Sequence, residues 1–309
     1  MNNLTPFVSV IIPVFNEHEF IEKTIKSIIN QDYQSNLYEI IIVDGLSDDG
    51  TRDIIRNFIE VDSRIKLIDN PRKIVPIALN KAISIAKGEI IIRIDGHCEV
   101  AINFISENIK ILNKYPDIVS AGGPITHSSK TDIGRSIALA MSHPLGVGNA
   151  FHRYNGYEGY TEGAQFPSFR SEVFKNVGLF DEDFVRNQDD EFNYRIRLAG
   201  NHIYVSPKIR YKYYVRENFK SLFKQYLQYG FWRIPFLIKH RKASSFRQFV
   251  PSLFFSLCTI CFIVGFLTKS LPVMLILPSI YIVTLLSFSI KYIFSENFST
   301  AISSPLAIF

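Results

Sequence analysis

Cysteine is scarce, with three residues in 309, and that excludes a disulfide framework. Cys258 and Cys261 have C-x-x-C spacing but sit in an uncharged apolar run, where packing explains them better than metal or redox chemistry; Cys98 adjoins a polar motif treated below. No G-x-G-x-x-G follows the first apolar run and no Gly-rich loop ends in Lys-Ser/Thr, so neither a dinucleotide fold nor a P-loop is supported. A cationic leader is missing too. The apolar stretch Val8–Phe15 is short and broken by Pro13, so we expect no signal peptide and a first domain that stays in the cytoplasm. Hydrophobic residues are not lacking: at 47%, with 14% aromatics, they rule out a disordered chain.

Acidic residues are nearly absent from one region, and this asymmetry is hidden in the net charge of +5. Residues 1–207 carry 21 Lys+Arg against 27 Asp+Glu, whereas residues 208–247 carry 11 basic residues against Glu217 alone. An acidic body, a basic collar and then an apolar tail point to a membrane surface with its lipids, and to no nucleic acid as partner. In that tail Gln248–Thr268 and Ser270–Ile290 are uncharged, with Lys269 between them. Each approaches the roughly 20 residues that a spanning helix requires. Two buried core helices would give the same pattern, but the flanking charge favours a membrane hairpin with the collar on the cytoplasmic side. Phe298–Phe309 is apolar again and reads as an interfacial segment or part of a third span.

Upstream, strand and helix patterns alternate. Strands are expected at Val8–Ile12, Tyr38–Val43, Ile65–Ile68, Ile90–Ile94 and Ile118–Ala121. Helices are expected at Glu19–Asn30, Arg52–Glu60, Pro76–Ala86, Ile102–Lys114, Ser168–Val177 and Asp189–Ala199. This alternation predicts an α/β domain built on a mostly parallel sheet. Thr126–Tyr160 is less regular and reads equally as a lid, an acceptor-facing insertion or a surface excursion.

Four polar clusters fall at the ends of apolar elements: Asn16-Glu17, Asp44 to Thr51, Asp95-Gly-His97 and Gln188-Asp189-Asp190-Glu191. Ligands of open α/β sheets bind beyond the carboxyl ends of strands, so these are the candidate site residues. Singly, each cluster also reads as a turn or helix cap. Together, converging carboxylates would repel one another unless a cation or a proton-transfer role stabilises them. Asp95 and His97, with a Gly between them, can face one divalent cation.

The segments Ser9–Glu17, Ile42–Thr51, Ala78-Leu-Asn80 with Ala86–Glu89, Asp95, and Phe180–Arg195 together resemble family-two glycosyltransferases with the GT-A nucleotide-diphospho-sugar transferase fold, over roughly residues 7–240. Within that family the resemblance is greatest to the succinoglycan-type exopolysaccharide glucosyltransferases of bacteria, which also carry Asp-x-His and a hydrophobic C-terminal tail. The resemblance implies that Pro13, Phe15 and Glu17 lie at the nucleotide base and ribose. Asp44 would accept from the uracil ring, with Ser47 and Asp49 shaping the loop. Asp95 would meet a divalent cation, manganese or magnesium, that bridges the diphosphate, and His97 would replace the usual second Asp as ligand. Asp189 would be the general base, although Gln188 stands where the family has Glu; Asp190 and then Glu191 are the fallbacks. Gln228–Arg233 looks like a degenerate Gln-x-x-Arg-Trp motif with Phe231 in place of its Arg, so processivity is not carried over. Trp232 would pack under an acceptor sugar or sit in a membrane belt, and Arg233 would meet a lipid pyrophosphate or anionic headgroups.

These readings place a GT-A domain at 1–207, a basic membrane-interface collar at 208–247 and transmembrane helices at 248–309. The expected activity is inverting, metal-dependent transfer from a UDP-sugar to a polyprenyl-diphosphate-linked saccharide at the bacterial inner membrane. The alternatives are a polyprenyl-phosphate sugar synthase and a catalytically silent membrane scaffold.

Overall fold

The computed structural model describes residues 5–124, 127–129, 131–154, 156–214, 218–242, 249–293, 300, 303, 304 and 307. In chain order the first elements are β1 (Val8–Val14), α1 (Ile21–Ile29), β2 (Tyr38–Asp44), α2 (Thr51–Val61), β3 (Ile65–Asp69), α3 (Val75–Ile85), β4 (Ile90–Arg93), β5 (Cys98–Val100), α4 (Phe104–Lys114) and β6 (Ile118–Gly123). There follow β7 (His127–Ser128), α5 (Asp132–Ala140), α6 (Pro144–Val147), β8 (Gly159–Tyr160), β9 (Gln165–Arg170), α7 (Glu172–Asn176), α8 (Gln188–Leu198), β10 (His202–Val205) and β11 (Tyr211–Tyr214). Three longer helices close the chain: α9 (Phe219–His240), α10 (Val250–Leu267) and α11 (Leu271–Ile293).

The chain divides into two units. The first comprises Met1–His127, Ala150–Tyr214 and Gln228–Pro235. Its main sheet has the order β3-β2-β1-β4-β9-β6-β10-β8. Strands β1, β2 and β4 are apolar on both faces because helices cover both sides, the burial expected of parallel strands in an α/β layer. β2 and β4 flank β1 in parallel register, so Val14 ends level with Asp44. After β1 the chain runs outward through β2 and β3, then returns to the other side of β1 as β4. The β1/β4 boundary is therefore the point where strand order reverses, and crevices form there.

Two expectations need correcting. Ser168–Val177 is not one helix: Gln165–Arg170 is strand β9, and only Glu172–Asn176 is helical. In β9, Phe166 and Phe169 are buried in the two different core clusters, and the Ser168 hydroxyl donates to Ala121 O at 3.0 Å. β9 runs antiparallel to both neighbours, β4 and β6, so the parallel character is interrupted by long-range pairing that local periodicity does not show. The segment Thr126–Tyr160, which gave few local signals, contains helices α5 and α6. A second small sheet pairs β5 with β11 antiparallel, Cys98 facing Tyr213 and Val100 facing Tyr211. Residues of the basic region thus supply a strand beside the Asp95–His97 turn.

The second unit comprises Ser128–Asn149, Val215–Leu227 and Phe236–Phe309. Its α10 and α11 form a helical hairpin, with Phe254 against Tyr281 at 5.0 Å between ring centroids. Close approach at the turn requires Gly265, where a Cβ would lie 2.8 Å from Met274 N. Small residues serve this purpose where helices pack in lipid. Both helices are long and apolar enough to cross a membrane, and only 6% and 17% of the residues in their apolar windows are buried. Also in this unit, Ser136 Oγ donates to Thr300 O at 2.9 Å. The segment Phe298–Phe309 otherwise lies almost wholly outside the described residues.

Candidate active site

Three strand ends supply the first half of the site. Past β1, the Asn16 backbone adopts the left-handed region at φ 55°, which an Asn tolerates. That turn is tied to the loop after β2: Asn16 N donates to Ser47 Oγ at 2.8 Å, and Glu17 N donates to Thr51 Oγ1 at 2.9 Å. Ser47 in turn donates through N and Oγ to Asp44, at 3.0 and 2.5 Å. Asp44 is fully buried and also accepts from Arg52 Nη1 at 2.6 Å. Asp49 accepts from Thr51 N and His18 N; burial alone would raise its pKa, but these hydrogen bonds hold it below the usual range. Ser47 therefore ties the loop to Asp44 and Asn16, and Asp49 ties it to Thr51, the first residue of α2, by local side-chain-to-backbone bonding.

Phe15 lies against this loop, and Pro13 sits within β1 opposite Val43. Phe15 is exposed, with Lys73 Nζ 4.8 Å from the ring centroid, and a Cβ at Gly45 would meet its ring at 2.9 Å. Gly45 is thus what lets the β2 loop lie against the Phe15 ring.

At the end of β4, Asp95 Oδ1 accepts from Arg93 Nε and Nη2 at 3.3 and 3.1 Å. Asp95 Oδ2 accepts no hydrogen bond among the described residues. His97 Nδ1 lies 2.8 Å from Glu17 Oε1, so the β1 and β4 turns are joined through this pair. The His97 ring also packs against Tyr213 of β11 at 5.5 Å, tilted by 55°. Among the described residues no three His, Cys, Asp or Glu side chains cluster as a ready-made metal cage. The donor set does fit a half-site: one unbonded carboxylate oxygen and one imidazole, hard and borderline ligands that accept a divalent cation once further oxygens arrive with a diphosphate.

The second half comes from the start of α8. Asn187, at φ 59°, turns the chain into the helix and donates from Nδ2 to Tyr229 O at 3.1 Å. Asp189 Oδ1 accepts the Asp190 backbone N–H at 2.9 Å. Burial, and next the Asp190 carboxylate, push the Asp189 pKa above the usual range, against the pull of Arg93. Asp190 behaves oppositely. Burial would raise it, but Arg233, which donates from Nη2 at 2.8 Å, and then His152 and Arg153 hold it below. Two adjacent carboxylates with pKa values driven apart is the pattern of a proton acceptor beside a permanently charged neighbour. Glu191 is excluded from solvent and both its oxygens accept from Arg195 Nε, so it braces the helix. Trp232 lies beside Arg233 on the same turn, its ring edge-on to Phe231 at 6.0 Å.

Arg93 is the residue that sequence reasoning missed. Only 10% of its side chain is exposed, and it interacts electrostatically with both Asp95 and Asp189, linking the two halves of the site. Burial would lower its pKa, and the two carboxylates more than offset that. Its signal was visible: one cation in the strand run Glu89-Ile-Ile-Ile-Arg93.

A mixed, mostly parallel sheet with carboxylates gathered at its strand-reversal point and a candidate base on a facing helix start is the scaffold of a GT-A glycosyltransferase. Comparison with known proteins agrees. The glycosyl transferase family 2 model matches residues 9–180. The succinoglycan biosynthesis protein ExoA of Rhizobium meliloti is 31% identical over 78% of this chain and 73% of its own. The dolichyl N-acetyl-alpha-D-glucosaminyl phosphate 3-beta-D-2,3-diacetamido-2,3-dideoxy-beta-D-glucuronosyltransferase of Methanococcus voltae is 32% identical over 72% of each. Among solved structures, the mannosyltransferase PcManGT from Pyrobaculum calidifontis aligns over 98% of this chain and 86% of its own, with TM-score 0.66 and 19% identity. S. aureus TarS 1-349 aligns over 69% of this chain, which spans 59% of that one, with TM-score 0.55 and 19% identity. These structures share the fold. The chain belongs to glycosyl transferase family 2 and is a glycosyltransferase.

Proposed function

We propose that the protein transfers a sugar, with inversion, from a UDP-sugar to a saccharide carried on a polyprenyl diphosphate, at the cytoplasmic face of a bacterial inner membrane. The observation that carries this reading is Asp189: a carboxylate with a raised pKa, half-buried at the start of α8, and electrostatically coupled through Arg93 to Asp95. A base near neutrality removes a hydroxyl proton most effectively when its own pKa is raised toward the working pH. Asp189 takes the acceptor hydroxyl's proton as that oxygen attacks the anomeric carbon and the UDP oxygen departs. Direct displacement inverts the configuration. Asp190, kept charged by Arg233, orients the acceptor beside Trp232.

On the donor side Phe15 and the Asp44–Ser47 loop receive the nucleoside. Asp95 and His97 would hold a divalent cation, manganese or magnesium, which when bound supplies Lewis-acid stabilisation of the departing diphosphate. The lipid-linked acceptor is supported by relatives whose names describe such chemistry: the Methanococcus enzyme, and a Campylobacter jejuni GalNAc(5)-diNAcBac-PP-undecaprenol beta-1,3-glucosyltransferase, 45% identical over 65 residues. Membrane association is supported by two apolar helices that bury little of themselves. An exposed apolar surface of that extent needs a partner, and lipid supplies one.

The test offers a panel of radiolabelled nucleotide sugars to membranes containing the protein, with and without chelator, followed by lipid extraction. The expected result is label in the lipid fraction from one UDP-sugar, abolished by chelator and restored by manganese. Label from no nucleotide sugar, or full activity in chelator, overturns the reading or its metal part respectively.

A further inference from the structure

Helix α9 is apolar where a soluble helix is polar. Phe223, Leu227, Phe231, Ile234 and Ile238 recur at helical spacing along one face, and each is between 57% and 73% exposed. From Phe223 to Ile238 the stripe is about 22 Å long. The opposite face is committed to the protein. Tyr229 O accepts from Asn187 Nδ2 at 3.1 Å, and Arg233 Nη2 donates to Asp190 Oδ2 at 2.8 Å, so this side of the stretch Gln228–Pro235 is fastened to the start of α8. Leu222 and Phe236, in helical phase with Tyr229 and Arg233, are buried. No acid occurs between Phe219 and His240, while Lys220, Lys224 and Lys239 are exposed toward the two ends and exposed Arg241 follows.

An apolar stripe of this extent calls for a partner. A second copy of the helix offers no counter-charge to the lysines, because α9 contains no acid. Lipid phosphates offer it at both ends, and lysine side chains reach them while their stems stay over apolar surface. In sequence α9 also leads to α10, the first of the two long apolar helices. α9 itself does not cross a bilayer, since its inner face holds the Arg233–Asp190 ion pair, which lipid would not accommodate. We propose that the outward face of α9 lies flat in the membrane interface, its five apolar side chains sunk about 5–10 Å into the headgroup–acyl boundary. This narrows the basic collar to one face of one helix, for β11, near the collar's beginning, belongs to the small sheet. One helix diameter, about 10–12 Å, then separates the bilayer surface from the start of α8. The sugar that reaches Asp189 is accordingly one close to its lipid diphosphate. That consequence rests on the function proposed above; the docking of α9 does not.

The test uses the full-length protein reconstituted into vesicles of phosphatidylglycerol and phosphatidylcholine, brominated either near the top of the acyl chains or near their ends. Phe223→Trp and Phe231→Trp each add one indole, whose emission is read as the difference from the parent with its single Trp232. Both added signals should be quenched, and more by shallow bromine than by deep. Val61→Trp, at an exposed position of α2, should be quenched by neither. Absence of quenching at α9, as when a second copy or another protein covers the face, overturns the proposal, and so does stronger quenching by deep bromine. A second variant adds Leu227→Glu and Ile234→Glu to Phe231→Trp. Both side chains are exposed, so the far-ultraviolet circular dichroism should be unchanged while the quenching is lost. Quenching that survives both charges overturns the proposal, as does loss of the folded signal, which would show the face packed within the protein. Quenching as expected, with no sugar transferred to any lipid, leaves the docked face standing and removes only its consequence for the acceptor.

Discussion

Arg93 and Asp95, two residues apart where β4 ends, form an ion pair at 3.1 Å, and the same guanidinium interacts with Asp189 of α8. One buried cation thus serves a carboxylate from each half of the site. Removing it would leave both without their counter-charge, a situation that costs about 3–5 kcal/mol when a buried pair is broken. Arg93→Met is therefore expected to unfold or aggregate. Arg93→Lys is the informative variant, since it keeps the charge and loses the planar fork. It should fold, with kcat/KM lower by the worth of a charge-assisted hydrogen bond, about 1.5–3 kcal/mol, or roughly 10- to 150-fold. Arg93 pulls the Asp189 pKa down, so a weaker hold lets it rise further. The acid limb of the pH–rate profile should shift to higher pH. A profile that moves to lower pH, or not at all, would contradict this arrangement.

Asp189→Asn tests the base and separates function from stability. General-base removal costs about 10²- to 10⁴-fold in kcat. Near-intact turnover would favour an acceptor that needs no deprotonation, such as a polyprenyl phosphate. The folded-state pKa of Asp189 is raised, so the folded protein binds this proton more tightly than the unfolded chain. Its stability contribution is then present at pH below the ordinary aspartate range and is lost as pH rises through the raised value. The amide does not titrate. Asp189→Asn should accordingly melt higher than the parent at pH 8, with the difference shrinking toward pH 4. Thermal denaturation at the two pH values decides it, and an equal or lower melting temperature at pH 8 would refute the burial penalty.

Much of this arrangement could be read from the chain, for identifiable reasons. Strands β1, β2 and β4 are continuous apolar runs ending on polar residues, and both features are local. Asp44 and Asp95 stood out because each follows such a run, and Asp189 because it opens a helix pattern. Strand β9 was not, because Gln165–Arg170 contains Pro167 and is held as a strand by pairing with β4 and β6. That pairing is non-local, and the helix signal of Glu172–Asn176 spread backward over it. Arg93 was visible as a lone cation in an apolar strand, but its meaning depends on where Asp189 arrives from far along the sequence. Glu17 was expected at the nucleotide, and only the folded turns bring it to His97.

Asp44 has a structural duty beside any contact with a nucleotide. It is fully buried, and its oxygens already accept from Ser47 and Arg52. Arg52 also pairs with Asp69 at 2.7 Å, so losing Asp44 leaves that guanidinium half satisfied. Asp44→Ala should therefore cost stability near the lower end of the broken-pair range, about 3 kcal/mol. That corresponds to roughly 6–12 °C in melting temperature for a domain of this size. UDP affinity should fall with it, because the Ser47 loop loses its anchor. Calorimetry with and without UDP checks both. A drop in UDP affinity at unchanged melting temperature would show that Asp44 acts only on the ligand.

The α10–α11 hairpin makes the last prediction. α10 exposes Phe255, Phe266 and Leu267 at 74%, 69% and 73%, and α11 exposes Leu271 and Val283 at 63% and 61%. A soluble core helix would bury such side chains, at about 1.5–3 kcal/mol each. Two helices of this length with no acidic residue can satisfy every backbone group internally, the condition for crossing a bilayer. The protein should stay with membranes through alkaline carbonate and leave them only in detergent. The turn between the two helices depends on Gly265, where any Cβ would sit 2.8 Å from Met274 N and 2.9 Å from Ser270 O, both backbone atoms. Gly265→Val should therefore splay the hairpin and lower the yield of membrane-inserted protein, while Val264→Leu, at an exposed neighbour, should not. Release of the parent into the carbonate supernatant would refute the spans, and equal insertion of Gly265→Val would refute the close approach at the turn.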